Sequence, residues 1–272
     1  MNKSFLHWPG GKSRLLTYIL SHLDGHHILI EPFAGSGVVF LNGNNPQKKV
    51  ADINPDLINL FQTLQNKGQA FIDECEKLFI EEDNKEKYYS NRKLFNSTKN
   101  KEEKSALFVY LNRHCYNGLW RYNANGEFNV AYRGDPKETL RQVNFPRDEI
   151  EQFCQLTKNV EFFCCSFEKM FEMADENCVI YADPPYVPMN STSNFTGYSK
   201  EGFGKESQKT LADHVRNAPC RVVVSNRDTE FIREIYSGMK MIELSVQRNI
   251  SCKGDKRLKD KELLIVKEKY NE

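Results

Sequence analysis

Four consecutive residues in the second half of the chain, Asp183-Pro184-Pro185-Tyr186, combine two acceptor groups with an aromatic ring. They follow the apolar run 178–182, which is typical of a buried parallel strand, and open α/β sheets bind ligands beyond the carboxyl ends of such strands. Two prolines prevent further strand pairing and a following helical turn, so the backbone after Asp183 is stiff. The Asp183 carboxylate and the Pro184 carbonyl then form an acceptor pair beside Tyr186. A planar exocyclic amine with two N–H groups fits this arrangement.

A second group of candidate residues lies in a glycine turn at residues 31–37, which read Glu-Pro-Phe-Ala-Gly-Ser-Gly. A short apolar strand precedes the turn, and we expect a helix to begin after it. Glycines let a backbone approach a ligand closely, and a helix N-terminus favours negative or electron-rich groups. Fifteen residues after Gly37, another short strand ends in Asp52. An acid at that place in a nucleotide-binding unit can bond both ribose hydroxyls, so the two features together indicate such a site.

Two further motifs complete a recognisable order. Residues 5–12 read Phe-Leu-His-Trp-Pro-Gly-Gly-Lys, and residues 116–123 read Tyr-Asn-Gly-Leu-Trp-Arg-Tyr-Asn, followed by Gly-Glu-Phe-Asn-Val at 126–130. With the glycine turn and the tetrapeptide, they resemble the cofactor, methionine-pocket, DNA-recognition and catalytic motifs of the Dam-type DNA adenine-N6 methyltransferases of the alpha group. The resemblance covers nearly the whole chain. It implies methyl transfer from S-adenosylmethionine to adenine N6 in double-stranded DNA, at the sequence 5′-GATC.

The resemblance assigns the cofactor residues by position. Trp8 and Lys12 match the motif whose lysine binds the cofactor carboxylate, and Asp52 takes the ribose hydroxyls. Ser166 and Phe167 follow an expected strand and stand where the family holds the cofactor adenine, although Phe167 fits a core aromatic equally well. The predicted cofactor site comprises Trp8, Lys12, Phe33, Ala34, Gly35, Gly37, Asp52, Ser166, Phe167 and Asp183.

The predicted catalytic residues are Asp183, Pro184 and Tyr186. Adenine N6 is a poor nucleophile because its lone pair is delocalised into the ring. Two acceptors that take hydrogen bonds from both N–H groups make the nitrogen pyramidal. Tyr186 stacks on the base, and transfer is a direct in-line displacement that depends on positioning and local electrostatics. No covalent intermediate is needed, so none of the cysteines is expected to be a nucleophile. Since N6 lies inside a paired stack, the base must be flipped out of the duplex.

The resemblance also implies a DNA-recognition hairpin. We expect Tyr116 and Leu119 to wedge into the base stack and Arg121 to read a guanine with its two-pronged guanidinium. The polar loop 190–198 is expected to become ordered over the flipped base. The predicted DNA-binding residues are His7, Tyr116, Asn117, Leu119, Arg121, Tyr122, Arg133, Asn194 and Arg248. Two positions depart from the family near the contacts to the first guanine: His7 replaces a usual lysine, and Ala131 a usual proline.

Charge is unevenly distributed along a chain whose net charge is only +1. Residues 111–147 contain six Arg or Lys against three Asp or Glu, and residues 247–261 contain six against two. Clustered positive charge can meet a phosphate backbone even on a nearly neutral protein, whereas a solvated surface is the simpler alternative. The interleaved aromatic residues and the motif favour a DNA contact for the first segment.

Composition predicts a soluble, cytoplasmic enzyme. The 272 residues include 28% charged side chains, and no long uncharged apolar run is present for a membrane span. No signal peptide precedes the first motif, so we expect the eight cysteines to be reduced thiols. None of them forms a Cys-x-x-Cys pair, which argues against a zinc site. We expect no metal, no obligatory protein partner and a monomer.

The predicted fold is α/β, a Rossmann-like class I methyltransferase sheet with an inserted helical DNA-recognition domain. Residues 1–54 and 148–272 would form the catalytic domain, and 55–147 the insert, with its hairpin at 116–133. Apolar residues recur at helical spacing over 57–64 and 71–79. The remaining expected helices are 12–23, 37–41 and 104–115. The expected strands are 27–31, 49–52, 160–165, 178–183, 220–225, 240–246 and 262–267.

Other functions remain alternatives at this stage. The same fold with a Pro-Pro-Tyr motif also methylates cytosine N4, RNA adenine or protein glutamine, but those branches more often carry Ser or Asn in place of Asp183, or lack the hairpin. A DNA-binding protein without activity is a further alternative. The presence of Asp183, Lys12 and Asp52 argues against it.

Overall fold

The computed structural model describes residues 1–80, 83–134, 143–186, 203–246 and 260–269. Seven strands in these ranges form one sheet. In chain order they are β1 (Ile28–Glu31), β2 (Gln47–Asp52), β3 (Val160–Cys164), β4 (Cys178–Ala182), β5 (Arg221–Arg227), β6 (Lys240–Val246) and β7 (Asp260–Lys267). Their spatial order is β3-β2-β1-β4-β5-β7-β6. All neighbouring pairs from β3 to β5 are parallel, and β7 is antiparallel to both β5 and β6. The predicted Rossmann-like α/β sheet is therefore confirmed.

The central strand β4 is buried on both faces because its five residues are all apolar or aromatic. Val179 and Tyr181 join the core on one face of the sheet. Ile180 and Ala182 point to the other face and join a second core. Strand order reverses between β1 and β4, and such a reversal opens a crevice beyond the carboxyl ends of the strands. The predicted site residues that follow β1, β2 and β4 therefore lie at one edge of the sheet.

Nine α-helices are present in the described ranges. They are α1 (Leu16–Ser21), α2 (Pro55–Lys67), α3 (Gln69–Ile80), α4 (Lys85–Ser97), α5 (Lys101–His114), α6 (Arg147–Leu156), α7 (Phe167–Glu172), α8 (Lys205–Asn217) and α9 (Glu230–Ile235). Nearby residues determine where α2 starts. The Asn54 side chain accepts hydrogen bonds from the backbone amides of Asp56 and Leu57, and Pro55 occupies the first turn. None of the helices in the described part of the chain is long and apolar enough to cross a membrane.

The helices α2 to α5 pack together and are attached to the sheet through α2. Gln62 donates to the Phe162 carbonyl of β3, and Gln65 donates to the Val160 carbonyl of the same strand. Buried residues of these helices belong to the same apolar core as Leu29 of β1. The boundary between a catalytic domain and an insert at residues 55–147 remains a prediction.

The expected elements agree with the structure except in a few places. The strands end within about two residues of their expected bounds, as is usual for pattern-based assignment. The expected helix at 37–41 is wrong: this segment forms isolated turns, in which Leu41 bonds back to Gly37 and Gly43 to Val39. Helix α1 is shorter than the expected 12–23 and begins four residues later. Helices α4, α6, α7, α8 and α9 were not predicted. In α4 only Tyr88 and Phe95 are buried, so its apolar period is weak.

Candidate active site

The tetrapeptide Asp183-Pro184-Pro185-Tyr186 leaves the carboxyl end of β4 and is held from behind. Gln208 of α8 donates from Nε2 to the Pro185 carbonyl at 2.9 Å. Asn226 of β5 in turn donates to Oε1 of Gln208 at 3.0 Å. Both amides are buried. Sequence reasoning missed them, although a glutamine on the apolar face of the amphipathic α8 is a signal that could have been noticed.

Lys12 lies at the centre of the site, with its ammonium among oxygen acceptors. Its Nζ is 2.8 Å from Oδ1 of Asp183 and 3.1 Å from Oε1 of Glu262. It also donates to the Tyr186 hydroxyl at 2.9 Å and to the Gly10 carbonyl at 3.1 Å. Burial by itself would lower the pKa of Lys12, but the negative charge of Asp183 and the oxygens beside it raise that pKa well above its ordinary value. The ammonium therefore stays charged.

The Tyr186 ring is fixed at its hydroxyl end. The hydroxyl donates to Oε1 of Glu262 at 2.6 Å. The Arg227 guanidinium lies 5.9 Å from the centre of the ring. Burial, followed by the charge of Asp183, raises the pKa of the Tyr186 hydroxyl, so it remains protonated. Sequence reasoning did not find Glu262, because its place beside the tetrapeptide arises from the pairing of β7 with β5.

The glycine turn after β1 is closed against Asp52. Gly35 and Gly37 have φ angles of 48° and 79°, a conformation that side chains with a Cβ disfavour. Close packing adds a second constraint, since a Cβ on Gly35 would lie 3.1 Å from the Trp8 indole nitrogen. The Gly35 amide donates to Oδ2 of Asp52 at 3.1 Å, and the Asn54 amide donates to Oδ1 at 2.9 Å. Two strand ends are thereby joined around one carboxylate.

Two acids in this region have a pKa above the ordinary value. Burial raises the pKa of Asp52, against the effect of its backbone hydrogen bonds. Burial, and then the charge of Asp183, raise the pKa of Glu31 well above its usual range. The Oε2 atom of Glu31 is buried and has no hydrogen-bond partner among the described residues. Sequence reasoning placed Glu31 in the motif but gave it no role.

Three phenylalanines form an aromatic wall beside the turn. Phe33 stacks on Phe167 with ring centres 5.7 Å apart and meets Phe203 edge-on at 5.6 Å. Phe167 begins α7 directly after Ser166. Phe167 is buried, as expected of a core aromatic, and it also lines the cavity of the site; its expected contact with the cofactor adenine remains a prediction. Phe203 was not predicted.

One cavity of about 1010 Å³ brings the predicted residues together. From the predicted cofactor site it is lined by Trp8, Lys12, Phe33, Ala34, Gly35, Asp52, Ser166, Phe167 and Asp183, and from the tetrapeptide also by Pro184, Pro185 and Tyr186. Gly37 shapes the turn without lining the cavity. The opposite rim contains Tyr116, Leu119 and Arg121 of the expected recognition segment. The structure thus joins the cofactor, catalytic and recognition motifs around a single space.

The recognition segment is an irregular hairpin with two isolated antiparallel bridges, Cys115 with Tyr132 and Tyr122 with Phe128. Its chain reversal lies at residues 123–127, where the Asn123 amide donates to the Glu127 carbonyl at 2.8 Å. A single 3-10 turn, Tyr116–Gly118, begins its first arm, and Asn117 in that turn has a φ of 53°. Tyr116 and Asn117 are exposed, as is Arg121, whose Nε donates to Oδ1 of Asn129 at 3.1 Å. The exposed residues can therefore reach a partner.

An aromatic stack supports this hairpin from behind. The Trp120 ring lies between Phe108 of α5 and Phe128, with centroid distances of 3.6 Å and 4.3 Å. The stack is buried, so it gives the exposed first arm of the hairpin a rigid base. Trp120 also donates from its indole nitrogen to the Tyr122 hydroxyl at 2.9 Å.

Besides Arg121, three predicted DNA-binding side chains have partners within the protein. The Tyr122 hydroxyl is 2.7 Å from Oδ2 of Asp56, at the start of α2. Arg133 forms a salt bridge with Asp83 at 2.5 Å. His7 is exposed, and its Nε2 lies 2.8 Å from Nη1 of Arg113. The hydrogen bond to Asp56 turns the Tyr122 side chain towards α2.

The state of His7 follows from its surroundings. Although the residue as a whole is exposed, partial burial of the imidazole, and then the charge of Arg113, lower the pKa of His7, so the ring is neutral and Nε2 accepts from the guanidinium. The His7 backbone is bonded on both sides by Asn112, whose Oδ1 accepts from its amide and whose Nδ2 donates to its carbonyl, both at 2.8 Å. Asn194, Arg248, the loop 190–198 and most of the basic segment 247–261 lie outside the described residues.

Comparison with known proteins adds an independent finding. A family model described as D12 class N6 adenine-specific DNA methyltransferase matches residues 8–250. The chain is 42% identical to the DNA adenine methylase of Haemophilus influenzae, over 97% of this chain and 93% of that protein. It is 40% identical to the DNA adenine methylases of Vibrio cholerae and Escherichia coli K12, over 97% of this chain and 95% of each relative. A solved structure of precorrin 8w decarboxylase matches with a TM-score of 0.39 and 12% identity, over 98% of this chain and 95% of that one, which is too weak to carry an argument.

Proposed function

The chain belongs to the D12 class of N6 adenine-specific DNA methyltransferases, and we propose that it transfers the methyl group of S-adenosylmethionine to N6 of adenine within 5′-GATC sites. The observation that carries the proposal is that Lys12, Asp52 and the Asp183 tetrapeptide line one cavity. A cavity of about 1010 Å³ is at the upper end of the range for small-molecule sites. It offers room for a nucleoside cofactor together with a flipped base.

The groups that line the cavity suit S-adenosylmethionine. Lys12 offers a permanent positive charge to the cofactor carboxylate, and Asp52 offers a carboxylate to the ribose hydroxyls. The buried Oε2 of Glu31 lacks a partner among the described residues, and the cofactor amino group would satisfy it. Phe167, with Ser166 before it, supplies an aromatic surface for the cofactor adenine. The carboxylate, amino group, ribose and adenine of S-adenosylmethionine would thus each meet a suitable group of the protein.

The catalytic residues act on the adenine amine. S-adenosylmethionine supplies a methyl group activated by its sulfonium centre. The Asp183 carboxylate and the Pro184 carbonyl accept hydrogen bonds from the two N–H groups of N6, and this localises the lone pair on nitrogen. Tyr186 stacks on the base, with its ring already fixed by the hydrogen bond to Glu262. These acceptors are in place before the substrate arrives, and such preorganised groups stabilise a transition state most effectively.

Target recognition is assigned to the first arm of the hairpin, residues 116–121. Tyr116 and Leu119 line the rim of the cavity, where apolar side chains can replace a base that has left the stack. Arg121 reads the guanine that pairs with the last cytosine of the site, because only guanine offers two acceptors in the major groove. The further proposed DNA contacts are His7, Asn117, Tyr122, Arg133, Asn194 and Arg248.

The proposed division of labour follows the chain. Residues 1–54 and 148–272 bind the cofactor and perform the transfer, and residues 55–147 recognise DNA. The partly buried hydrogen bonds between α2 and β3 favour a rigid connection between the two parts. Because the site is two-fold symmetric, one guanine contact in each half suffices. A monomer that methylates one strand at a time is therefore adequate.

The test is methylation of short duplexes by the purified protein, followed by digestion and mass spectrometry of the nucleosides. The proposal predicts N6-methyladenine in a duplex that contains GATC and none in a duplex with one base pair of that site changed. Asp183→Ala is the matched control and should give no product. Formation of N4-methylcytosine, or equal methylation of all duplexes, would contradict the proposed activity or its specificity, respectively.

A further inference from the structure

Glu262 lies against the catalytic tetrapeptide although it is distant from it in sequence. It is the third residue of β7, which pairs antiparallel with β5 and places Glu262 opposite Arg227. Because β7 runs against β5, its beginning meets the carboxyl end of β5, which is the edge of the sheet where the site lies. Glu262 is only 7% exposed. A carboxylate so deeply buried requires partners, and here it has Tyr186 and Lys12.

We propose that Glu262 is a positioning residue for methyl transfer: it anchors the Tyr186 ring and shares the charge of Lys12 with Asp183. The inference rests on the proposed function and deepens it by adding a residue that touches neither substrate nor cofactor. Three described contacts support it, namely the hydrogen bond from Tyr186, the ion pair with Lys12 and the Lys12 to Asp183 pair.

The first part of the role concerns the orientation of Tyr186. Its hydroxyl accepts from Lys12 at 2.9 Å and donates to Glu262 at 2.6 Å. A phenol held at both its Cβ and its hydroxyl has a fixed long axis, so the ring cannot swing away from the stacking position. Without Glu262 the hydroxyl loses its acceptor. A misplacement of about 1 Å at a reacting centre can cost on the order of 10²-fold in rate.

The second part concerns the charge on Asp183. The Lys12 ammonium has three N–H bonds, and four acceptor oxygens lie within 3.1 Å of it. Glu262 therefore competes with Asp183 for one cation. When Glu262 is removed, Lys12 pairs more strongly with Asp183, and the Asp183 carboxylate becomes a weaker acceptor for an amine.

The experiment compares single-turnover methyl transfer to a GATC duplex among variants of the full-length protein. Glu262→Ala is expected to lower the rate by about 10- to 100-fold, with the Kd for S-adenosylmethionine changed by less than about threefold. Glu262→Gln keeps an acceptor for the Tyr186 hydroxyl and should recover at least about half of that loss on a logarithmic scale. Glu243→Gln on β6 is the matched control, because Glu243 is exposed and pairs with Arg233.

A double-mutant cycle separates a positioning role from a general loss of structure. Tyr186→Phe removes the hydroxyl and keeps the ring. If Glu262 acts through that hydroxyl, the double variant is slower than the slower single variant by no more than about threefold. Multiplication of the two losses would overturn the proposal, as would a Glu262→Ala rate within about threefold of wild type, or a tenfold loss of cofactor affinity.

Two further controls keep the result interpretable. If Glu262→Ala does not fold, Glu262→Met preserves the side-chain volume and is subject to the same expectations. Asp183→Ala is measured in parallel. Activity in that variant would refute the proposed catalytic site itself, whereas an inactive Asp183→Ala beside unaffected Glu262 variants would refute the role of Glu262 alone.

Discussion

The ammonium of Lys12 lies 2.8 Å from the Asp183 carboxylate, so the predicted cofactor lysine and the predicted catalytic acid form one buried ion pair. Residues in direct contact rarely act independently, and substitutions at both are expected to be non-additive. Lys12 belongs to the proposed cofactor site, and Asp183 belongs to the tetrapeptide proposed to hold the adenine. A change at either residue therefore affects both halves of the site.

Asp183→Ala should reduce methyl transfer by at least about 10²- to 10³-fold, because it removes a preorganised acceptor for the target amine. The Kd for S-adenosylmethionine should stay within roughly tenfold of wild type, since the main partner of Asp183 is the adenine. Single-turnover kinetics and isothermal titration calorimetry measure the two quantities. Asp213→Ala, an exposed acid on α8, is the control. Wild-type turnover by Asp183→Ala would refute the mechanism.

Lys12→Ala and Asp52→Ala should each weaken S-adenosylmethionine binding by about 1.5–3 kcal/mol, the range for hydrogen bonds to charged groups. Lys12→Ala should in addition slow the single-turnover rate, because it leaves Asp183 and Glu262 without their shared cation. Calorimetry measures the loss of cofactor affinity, and the single-turnover rate at saturating cofactor measures the loss of rate separately. Lys209→Ala on the surface of α8 is the control. Unchanged affinity in both variants would place the cofactor elsewhere.

Arg121→Ala should cost about 1–3 kcal/mol of discrimination at one base pair of the site and relax the choice there. Lys→Ala changes in the basic segment 253–261 should instead weaken binding to all sequences and flatten the salt dependence. The measurement is methylation of duplexes substituted one base pair at a time. If Arg121→Ala lowers every duplex by the same factor, Arg121 contacts the DNA backbone and the assignment of specificity is wrong.

Gln208→Leu should slow methyl transfer and destabilise the fold by about 1–3 kcal/mol, because it removes the hydrogen-bond partner of the buried Asn226 amide and of the Pro185 carbonyl. Denaturant unfolding gives the free energy, and single-turnover kinetics the rate. Gln69→Leu replaces an exposed glutamine at the start of α3 and serves as the control. A Gln208→Leu protein with wild-type rate and stability would show that the tetrapeptide needs no support from α8.

Glu31→Gln should raise the melting temperature at neutral and alkaline pH. Burial, and then the charge of Asp183, raise the pKa of Glu31 in the folded state above its unfolded value, so the ionised group destabilises the fold. The protonated form contributes stability below the unfolded pKa, and this is lost as pH rises through the folded pKa. The gain from Glu31→Gln should therefore disappear when pH falls below about 4, near the ordinary carboxyl value. Thermal unfolding from acid to alkaline pH is the measurement, and a gain that persists in acid would contradict the assignment.

Local patterns predicted much of this fold. The apolar run that became β4 ended at a turn signal, and burial on both faces of a sheet requires such a run. The amphipathic period of α2 and α3 likewise marked which side faces the core. The helix expected at 37–41 failed because a few apolar residues carry no period long enough to distinguish a helix from turns.

Most residues of the candidate site were also predictable, because their type and position at strand ends are local properties. Asp52 and Asp183 each terminate or directly follow a strand, and parallel strands bring their carboxyl ends to one edge. By contrast, Glu262, Gln208 and Phe203 do not stand at the carboxyl end of a parallel strand, so their positions in the sequence did not place them in the site. They reach the site through the antiparallel pairing of β7 and the packing of α8, which depend on contacts between distant parts of the chain.

The sequence alone thus determined the order of motifs, the character of the sheet and the acids at its edge, since these depend on residues close together in the chain. Only the tertiary structure decided how those groups are held: that Lys12 is shared between Asp183 and Glu262, and that Tyr122 turns towards Asp56. The physical reason is that a buried polar group must find its partners within the fold, and which partners are near is set by long-range packing.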